Sequence, residues 1–540
     1  MSDQSSRPWW RHRAYGWAMA FGALHAWTLS PWCADLHALA PALLQTSALI
    51  GLLMTLCGQD MPKGRVAMTT WLYGTVWLVG ATGWMYVSLH HFGGLPAWLT
   101  VVAVVGLCAA LSLYMAAVGW AWARWRRHVW WRDAVLFAAL WLLAEMARAV
   151  IFTGFPWGAS GYGLLESPLV KLAPLLGVYG LGAVWVCAVA LAVFAWYAAG
   201  ASLARWLMPG AVAMFVLACA LWTPPSYTRV HGALLSVTLL QGNVAQDEKF
   251  IPDMQVPMLI WHARQLLAAP GKLVIAPETA IPLLPSQLPA DYWDQIKAGF
   301  GPGTGRYALI GVPLGDFDVG YTNSVAGLSA ETEAWPEGMY RYNKHHLVPF
   351  GEVIPLGFHW FVQLMNMPLG DFTRGPVAAP AFNVGDQRIG PNICYEDLYG
   401  EEIAARFLDA KAAPTILANV SNLAWCGERV AIHQHLQIAR MRSIEFQLPT
   451  LRATNTGATV VIDHLGRVTD SLATNTRGAL QAKVQGRSGV TPFAWWAARW
   501  GLWPLFAGAL LMIGLGVTGA RRSPQRDPTG LSGEGGRAIH

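Results

Sequence analysis

Seven apolar stretches crowd the first 225 residues of this chain, and nothing else in it constrains the fold so tightly. They run Ala14 to Pro31, Leu36 to Cys57, Ala67 to Leu89, Leu95 to Ala123, Ala134 to Phe152, Leu175 to Ala199 and Trp206 to Trp222; an eighth runs from Trp500 to Val517. A helix crosses the hydrocarbon core of a bilayer on roughly 20 apolar residues. Backbone in that core must satisfy its own hydrogen bonds, so each stretch is expected to be a membrane-spanning helix. Between Trp222 and Trp500 the composition becomes that of a water-facing protein. Residues 1–225 are therefore expected to form a seven-helix transmembrane domain and 226–492 a separate folded domain; 493–520 is expected to be a last transmembrane helix and 521–540 a disordered tail.

Charge orients this array, because Lys and Arg are retained on the cytoplasmic side. Arg7, Arg11 and Arg13 precede the first stretch, Lys63 and Arg65 follow the second, and Arg124, Arg126, Arg127 and Arg132 follow the fourth. Arg205 follows the sixth, and Arg521, Arg522 and Arg526 follow the last. The alternate loops carry Lys171 and almost no other basic residue. Both termini are expected in the cytoplasm, the first stretch retained rather than cleaved, and the 226–492 domain outside. These flanks explain most of the net charge of +6, which removes the argument for a nucleic-acid surface. The seven Cys have neither disulfide-framework nor zinc-site spacing.

Within 226–492, short β-branched runs alternate with amphipathic stretches. ALLSVTLLQ, KLVIAPE, RYALIGVPL, TNSVAGLS, RIGPNICYE, PTILANVSN and ATVVIDHLG read as strands; QVPMLIWHARQLLAA, YGEEIAARFLDA and AIHQHLQIARMRSIEFQL read as helices. That interleaving predicts an α/β domain of packed sheets with helices outside. Functional groups in such domains gather at strand ends, where Glu278 and Cys394 fall.

A free thiol has a pKa of about 8.5, so a nucleophilic Cys needs a base or a cation beside it. Glu278 in APETA is a candidate base, and Lys344 in RYNKHHLVPFGE is a candidate to hold a developing oxyanion near Cys394. Taken singly, each has a blander reading: Cys394 as a small buried hydrophobe, Glu278 as a helix cap, Lys344 as a solvated loop charge.

APETA, YNKHHLVPFGE and NICYE in this order resemble the nitrilase superfamily, whose Glu, Lys and Cys form a catalytic triad. FTGFPW at Phe152 to Trp157, QGNV at Gln241 to Val244, VSNLAW at Val420 to Trp425 and QHLQIARMRSIEFQLPTLRATNTG at Gln434 to Gly457 are similar to its membrane-bound branch, the apolipoprotein N-acyltransferases. The resemblance covers nearly the whole chain. It implies a nitrilase-like α-β-β-α sandwich in 226–492, with Glu278 as general base, Lys344 as oxyanion stabiliser and Cys394 as nucleophile. It further implies Glu352 as an essential carboxylate and Tyr395 and Glu396 as groups beside the nucleophile. Phe350, Trp425, Arg148 and Trp157 are expected to support the site or the substrate. The implied reaction runs through a Cys thioester, from a phospholipid such as phosphatidylethanolamine to the N-terminal amine of a diacylglyceryl-cysteine lipoprotein. No cofactor or metal is implied, the setting is a bacterial inner membrane with the catalytic domain periplasmic, and a monomer is expected.

Leu423, Cys426 and Phe250 depart from the family pattern, where Asp and two aromatic residues commonly stand. The apolar stretch Pro355 to Gly370 is expected either to lie on the bilayer as an access loop or to be a core helix. Glu145 and Arg148, one turn apart within a span, are expected to pair with each other, the alternative being that Arg148 meets a lipid phosphate. His433 and His435 are expected to be solvated or capping, and Arg440, Arg442 and Glu445 to form a structural ion-pair face. A membrane-tethered amidase using water as acceptor is the alternative enzyme. A transporter with a sensor domain would require broken helices in related halves, which the sequence does not show.

Overall fold

In the computed structural model, residues 10–57, 61–200, 202–249, 251–289, 291–316, 318, 320–332, 338–354 and 372–518 are described. Phe250 and the Pro355–Gly370 stretch lie outside them, as does the 521–540 tail. The N-terminal part is helical: α1 (Trp10–Thr28), α2 (Ala40–Cys57), α3 (Lys63–Thr82), α4 (Ala97–Leu111), α5 (Leu113–Trp125), α6 (Trp130–Val150), α7 (Ala173–Ala198) and α8 (Leu207–Leu221). Among the described residues, five helical segments are long and apolar enough to cross a membrane: Ala40–Cys57, Ala97–Trp125, Trp130–Thr153, Pro168–Ala198 and Leu203–Leu221. α1 and α3 have the length, at 19 and 20 residues, but their first turns carry Arg11, Arg13, Lys63 and Arg65, which dilute their apolar character.

The second half is a two-sheet sandwich. Its strands are β1 (Thr228–Val230), β2 (Leu235–Gln241), β3 (Leu273–Ile275), β4 (Tyr307–Asp316), β5 (Gly320–Leu328), β6 (Tyr340–Asn343) and β7 (Phe382–Val384). β8 (Gln387–Ile393), β9 (Ile416–Ser421), β10 (Thr450–Thr454), β11 (Val460–Ile462), β12 (Val468–Ser471), β13 (Gly478–Val484) and β14 (Arg487–Gly489) complete it. One six-stranded sheet has the order β13-β2-β3-β4-β5-β6 and the other β12-β11-β10-β9-β8-β7, while β1 pairs with β14. Val237, Leu239 and Ile275 of the first sheet meet Ile389, Ile393, Ile416 and Leu451 of the second in one core. Burying each such side chain contributes roughly 1.5–3 kcal/mol, so the relative placement of the two sheets is heavily determined.

Helices cover the outer faces. Leu259 and Leu266 of α9 (Pro252–Ala268), with Trp293 and Ile296 of α10 (Tyr292–Ala298), pack on Val274, Ala308 and Ile310. On the other sheet, Ile403 of α11 (Gly400–Ala404) packs near Leu417, and Ile432 and Ala439 of α12 (Val430–Phe446) pack on Val460 and Ile462. A final pair, α13 (Pro492–Trp500) and α14 (Trp503–Val517), bends by 93° and counts as a sixth crossing if taken as one broken span.

α12 also ties the halves together. Gln434 accepts from the indoles of Trp157 (2.6 Å) and Trp84 (3.3 Å) and donates to the Ala81 carbonyl (3.0 Å). Glu445 accepts from the Val178 amide at 2.7 Å.

Candidate active site

Four strand ends converge on one point. Glu278 follows β3 by three residues, Lys344 directly follows β6, Cys394 directly follows β8 and Asn422 directly follows β9. Gly311 on β4 makes the close approach possible, since a Cβ there would lie 2.2 Å from the Pro277 carbonyl and 2.7 Å from the Glu278 Cα.

Lys344 is the hub, at 1% exposure. Its ammonium lies 2.9 Å from the Glu352 carboxylate and 3.4 Å from Glu278 Oε1. Asn323 bridges the same two carboxylates, donating from one nitrogen to Glu278 Oε1 (2.8 Å) and Glu352 Oε1 (2.6 Å). The Asn422 amide donates to Glu278 Oε2 at 2.8 Å, and the Val348 amide to Glu352 Oε2 at 2.9 Å. Burial alone would lower the Lys344 pKa, but Glu352, Glu278 and the Cys394 thiol together outweigh it and hold the amine above its usual range. Lys344 is therefore a fixed cation at neutral pH.

Cys394 is partly buried and has φ +50°, a left-handed conformation costly for a residue with a side chain. This sharp turn comes straight off the strand, and the side chain packs at the edge of the inter-sheet core. Burial, then the charge of Glu278, pushes the thiol well above its ordinary range, with Lys344 pulling the other way. The resting group is the thiol, and any nucleophilic use of it needs a base to take its proton.

Glu396, at 4% exposure, holds the turn. Oε2 accepts from the Ile393 amide (2.6 Å) and the Tyr342 hydroxyl (2.7 Å), and Oε1 from the amides of His345 (2.7 Å) and His346 (3.2 Å). One carboxylate thus fastens the residue before Cys394 to the residues after Lys344. On the other side, Arg452 donates to His435 Nδ1 at 2.5 Å and pairs with Asp397 at 3.0 Å. That leaves His435 Nε2 to carry the proton and donate to the Cys394 carbonyl at 3.0 Å. Burial, reinforced by Arg452, keeps this imidazole well below its ordinary range and neutral. The expectation that His435 is solvated or capping is corrected: it is fully buried, because the Trp157 ring, Arg452 and the Cys394 carbonyl enclose it on the inward face of α12.

Tyr395 donates to the Gly154 carbonyl at 3.0 Å, and Tyr399 to the same atom at 3.2 Å. His346 Nε2 lies 2.8 Å from the Thr153 carbonyl. This turn, Phe152 to Gly154, is left-handed throughout; a Cβ on Gly154 would meet the Ala149 carbonyl at 1.8 Å. Trp157 stacks on His435 with ring centroids 5.8 Å apart. Arg148 does not reach the reacting groups: it donates to the Trp157 carbonyl at 2.7 Å and lies over the Trp77 ring. Nor does it pair with Glu145, which instead accepts from the Ser160 amide (2.8 Å) and hydroxyl (2.7 Å). The chain after α6 folds back over its end and offers each charge a nearer backbone partner than the other.

Phe350, partly buried with φ +65°, shares the turn that carries Glu352. Trp425 accepts from Ser88 at its carbonyl (2.7 Å) and meets Phe92 edge-on. Cys426 and Leu423 pack with Cys394 in one apolar cluster; burial and, to a lesser degree, Glu278 push the Cys426 thiol up to about 12 against a hydrogen bond from Ser88. Arg442 and Glu445 pair at 3.1 Å, as expected, while Arg440 pairs with Glu166 of the helical half. Asn323, Asn422, Asp397, Arg452, His346 and Lys249 also surround the site; Asn422, Arg452 and His346 lie inside the motifs that carry the family resemblance, but residue type alone marked none of the six.

A two-sheet sandwich carrying a thiol, an amine and two carboxylates at its strand ends, set on apolar helices, defines a membrane enzyme of the carbon–nitrogen hydrolase class. The family model described as "Carbon-nitrogen hydrolase" matches residues 316–492, and that described as "Apolipoprotein N-acyltransferase N-terminal domain" matches 21–191. Apolipoprotein N-acyltransferase of Verminephrobacter eiseniae is 47% identical over 81% of this chain and 84% of its own length. That of Ralstonia nicotianae is 42% identical over 86% and 87%, and that of Bordetella bronchiseptica 39% identical over 95% and 97%. The chain belongs to the apolipoprotein N-acyltransferase family, acyltransferases within the carbon–nitrogen hydrolase superfamily.

Proposed function

We propose that the chain transfers an acyl group from a phospholipid such as phosphatidylethanolamine through a thioester on Cys394 to the N-terminal amine of a diacylglyceryl-cysteine lipoprotein. In the first half-reaction Glu278 takes the thiol proton as sulfur attacks the ester carbonyl, and Lys344 holds the oxygen that becomes negative. The carbon–oxygen bond then breaks, Glu278 returns the proton to the departing alkoxide, and a lysophospholipid leaves. In the second, the amine attacks the thioester, the carbon–sulfur bond breaks and Glu278 passes the amine proton to sulfur. Glu352 keeps Lys344 in place, and Glu396 keeps Cys394 facing it.

The observation that carries this reading is the convergence of Lys344 on both Glu278 and Glu352 beside a strand-end thiol whose pKa its charge lowers. Eight crossings fit the lengths of α1 and α3 added to the six broken or unbroken apolar segments. We take residues 1–225, 226–492 and 493–520 as helical, catalytic and anchoring units, with the catalytic one periplasmic, both termini cytoplasmic and the enzyme monomeric.

Incubation with acyl-labelled phosphatidylethanolamine should leave a hydroxylamine-sensitive label on Cys394, and Cys394→Ala should abolish it. A label that persists in the Ala variant refutes the nucleophile, and rapid release of free fatty acid favours the amidase-like alternative.

A further inference from the structure

Lys249 follows the QGNV segment and is 2% exposed, yet its ammonium makes one hydrogen bond, 3.4 Å to the backbone carbonyl of Glu278. An ammonium carries three donors, and a charge this deeply buried is ordinarily paired. Among the described residues Lys249 has no ion pair within 4 Å, although the Glu278 charge acts on it. It is too enclosed to serve as a solvated surface charge.

The segment that carries it is wired to the same carboxylate by a second route. The Val244 amide donates to Asn455 Oδ1 (3.1 Å), and Asn455 Nδ2 donates to the Val244 carbonyl (2.8 Å) and to Asn422 Oδ1 (3.0 Å). Asn422 Nδ2 donates to Gln246 Oε1 (2.9 Å) while its own amide holds Glu278 Oε2. Glu278 is thus gripped at its carboxylate through Asn422 and at its carbonyl through Lys249. The grip falls where the chain needs one, because Thr279 next to it has φ +50°.

We propose that Lys249 is a positioning residue for Glu278: its ammonium fixes the strand-end turn, and its positive charge favours the ionised carboxylate that accepts the thiol proton. The proposal rests on the reading of Glu278 as general base. The charged and titratable groups that face Glu278 are Lys344, Lys249, Glu352 and the thiols of Cys394 and Cys426. The other titratable neighbour of Lys249 is His262 on α9, which burial draws down to about 4 and so leaves neutral. Burial draws Lys249 itself down to about 8 against the pull of Glu278, so it carries its charge at neutral pH.

Removing a cation from beside a carboxylate disfavours its ionised form, and only the ionised form accepts the thiol proton. Thioester formation in Lys249→Met should therefore lose its acid limb at a pH about one unit higher than the unsubstituted enzyme, the scale of one unit charge several ångströms away in a protein interior. Lys249→Arg should keep the limb in place. Lys249→Gln, which retains a donor for the carbonyl but no charge, should show the same displacement as Met and serves if the Met variant does not fold. The assay is the rate of hydroxylamine-sensitive labelling of the full-length chain from labelled phosphatidylethanolamine between pH 5 and 9, with Glu278→Gln in parallel. An unmoved limb in the Met or Gln variant, with Glu278→Gln inactive, overturns the role of Lys249 alone. Wild-type labelling in Glu278→Gln overturns the base assignment, and this inference with it.

Discussion

Glu396→Gln tests whether the nucleophile is held in register with Lys344 by a single carboxylate. The substitution conserves shape and removes one oxygen. If the new amide nitrogen takes the place of Oε1, it faces two backbone N–H groups, of His345 and His346. If it takes the place of Oε2, the Tyr342 hydroxyl can rotate to accept from it, but the Ile393 N–H meets a donor. The second arrangement is the better one and still leaves a buried amide unmet, at about 1–3 kcal/mol, while every remaining bond loses its charge assistance. Relief of the carboxylate's burial, which pushes its pKa up, offsets part of this. The expected net loss is about 2–4 kcal/mol. The larger effect is on the reaction, because a displacement of about 1 Å between reacting groups costs on the order of 100-fold. Glu396→Gln should therefore lower the detergent-solubilised melting midpoint modestly and slow thioester formation from labelled phospholipid by roughly two orders of magnitude. A wild-type labelling rate at an unchanged midpoint would refute the reasoning.

Two further substitutions probe the same network. Lys344→Met removes the charge that lowers the Cys394 pKa; a smaller thiolate fraction follows, so iodoacetamide should alkylate Cys394 more slowly at neutral pH, read by peptide mass spectrometry, and faster alkylation would contradict the assigned field. In the unsubstituted chain the same reaction should stay slow at pH 7 and accelerate only above the range of a free thiol, about 8.5. Asp397→Asn strips the partner from a wholly buried Arg452 and should cost about 3–5 kcal/mol, visible as a marked drop in the melting midpoint, whereas an unshifted midpoint would mean that the pair is dispensable.

Runs with strong β-branched character were legible in the sequence: β2, β3, β9 and β11 fall within the segments read as strands, and β4, β5 and β8 overlap them to within two residues. β10 was hidden because its TLRAT carries Arg452 in a fully buried row, and the acid that neutralises it lies 55 positions away. β13 was hidden by an alternation too polar to stand out, although full antiparallel pairing with β2 secures it. At the site, strand-end position marked Glu278 and Cys394, and the resemblance of APETA, YNKHHLVPFGE and NICYE to the nitrilase motifs joined Lys344 to them; their joint geometry is supplied by the fold. Asn323 and Asn422 carry no comparable mark, since an amide becomes a bridge only when distant strands bring carboxylates to it. The pairing of Glu145 with Arg148 followed from helical spacing and failed because helical spacing ignores the chain that folds back over a helix end.

The hydroxyl of Tyr395, one residue beyond the proposed nucleophile, rests on a carbonyl supplied by the hydrophobic half of the molecule. Excising the sandwich would strip Tyr395, Tyr399 and His346 of the carbonyls of Thr153 and Gly154 on which they rest. The lipid-embedded helices therefore act as the back wall of the reaction chamber, and a water-soluble fragment built for convenience would be missing that wall.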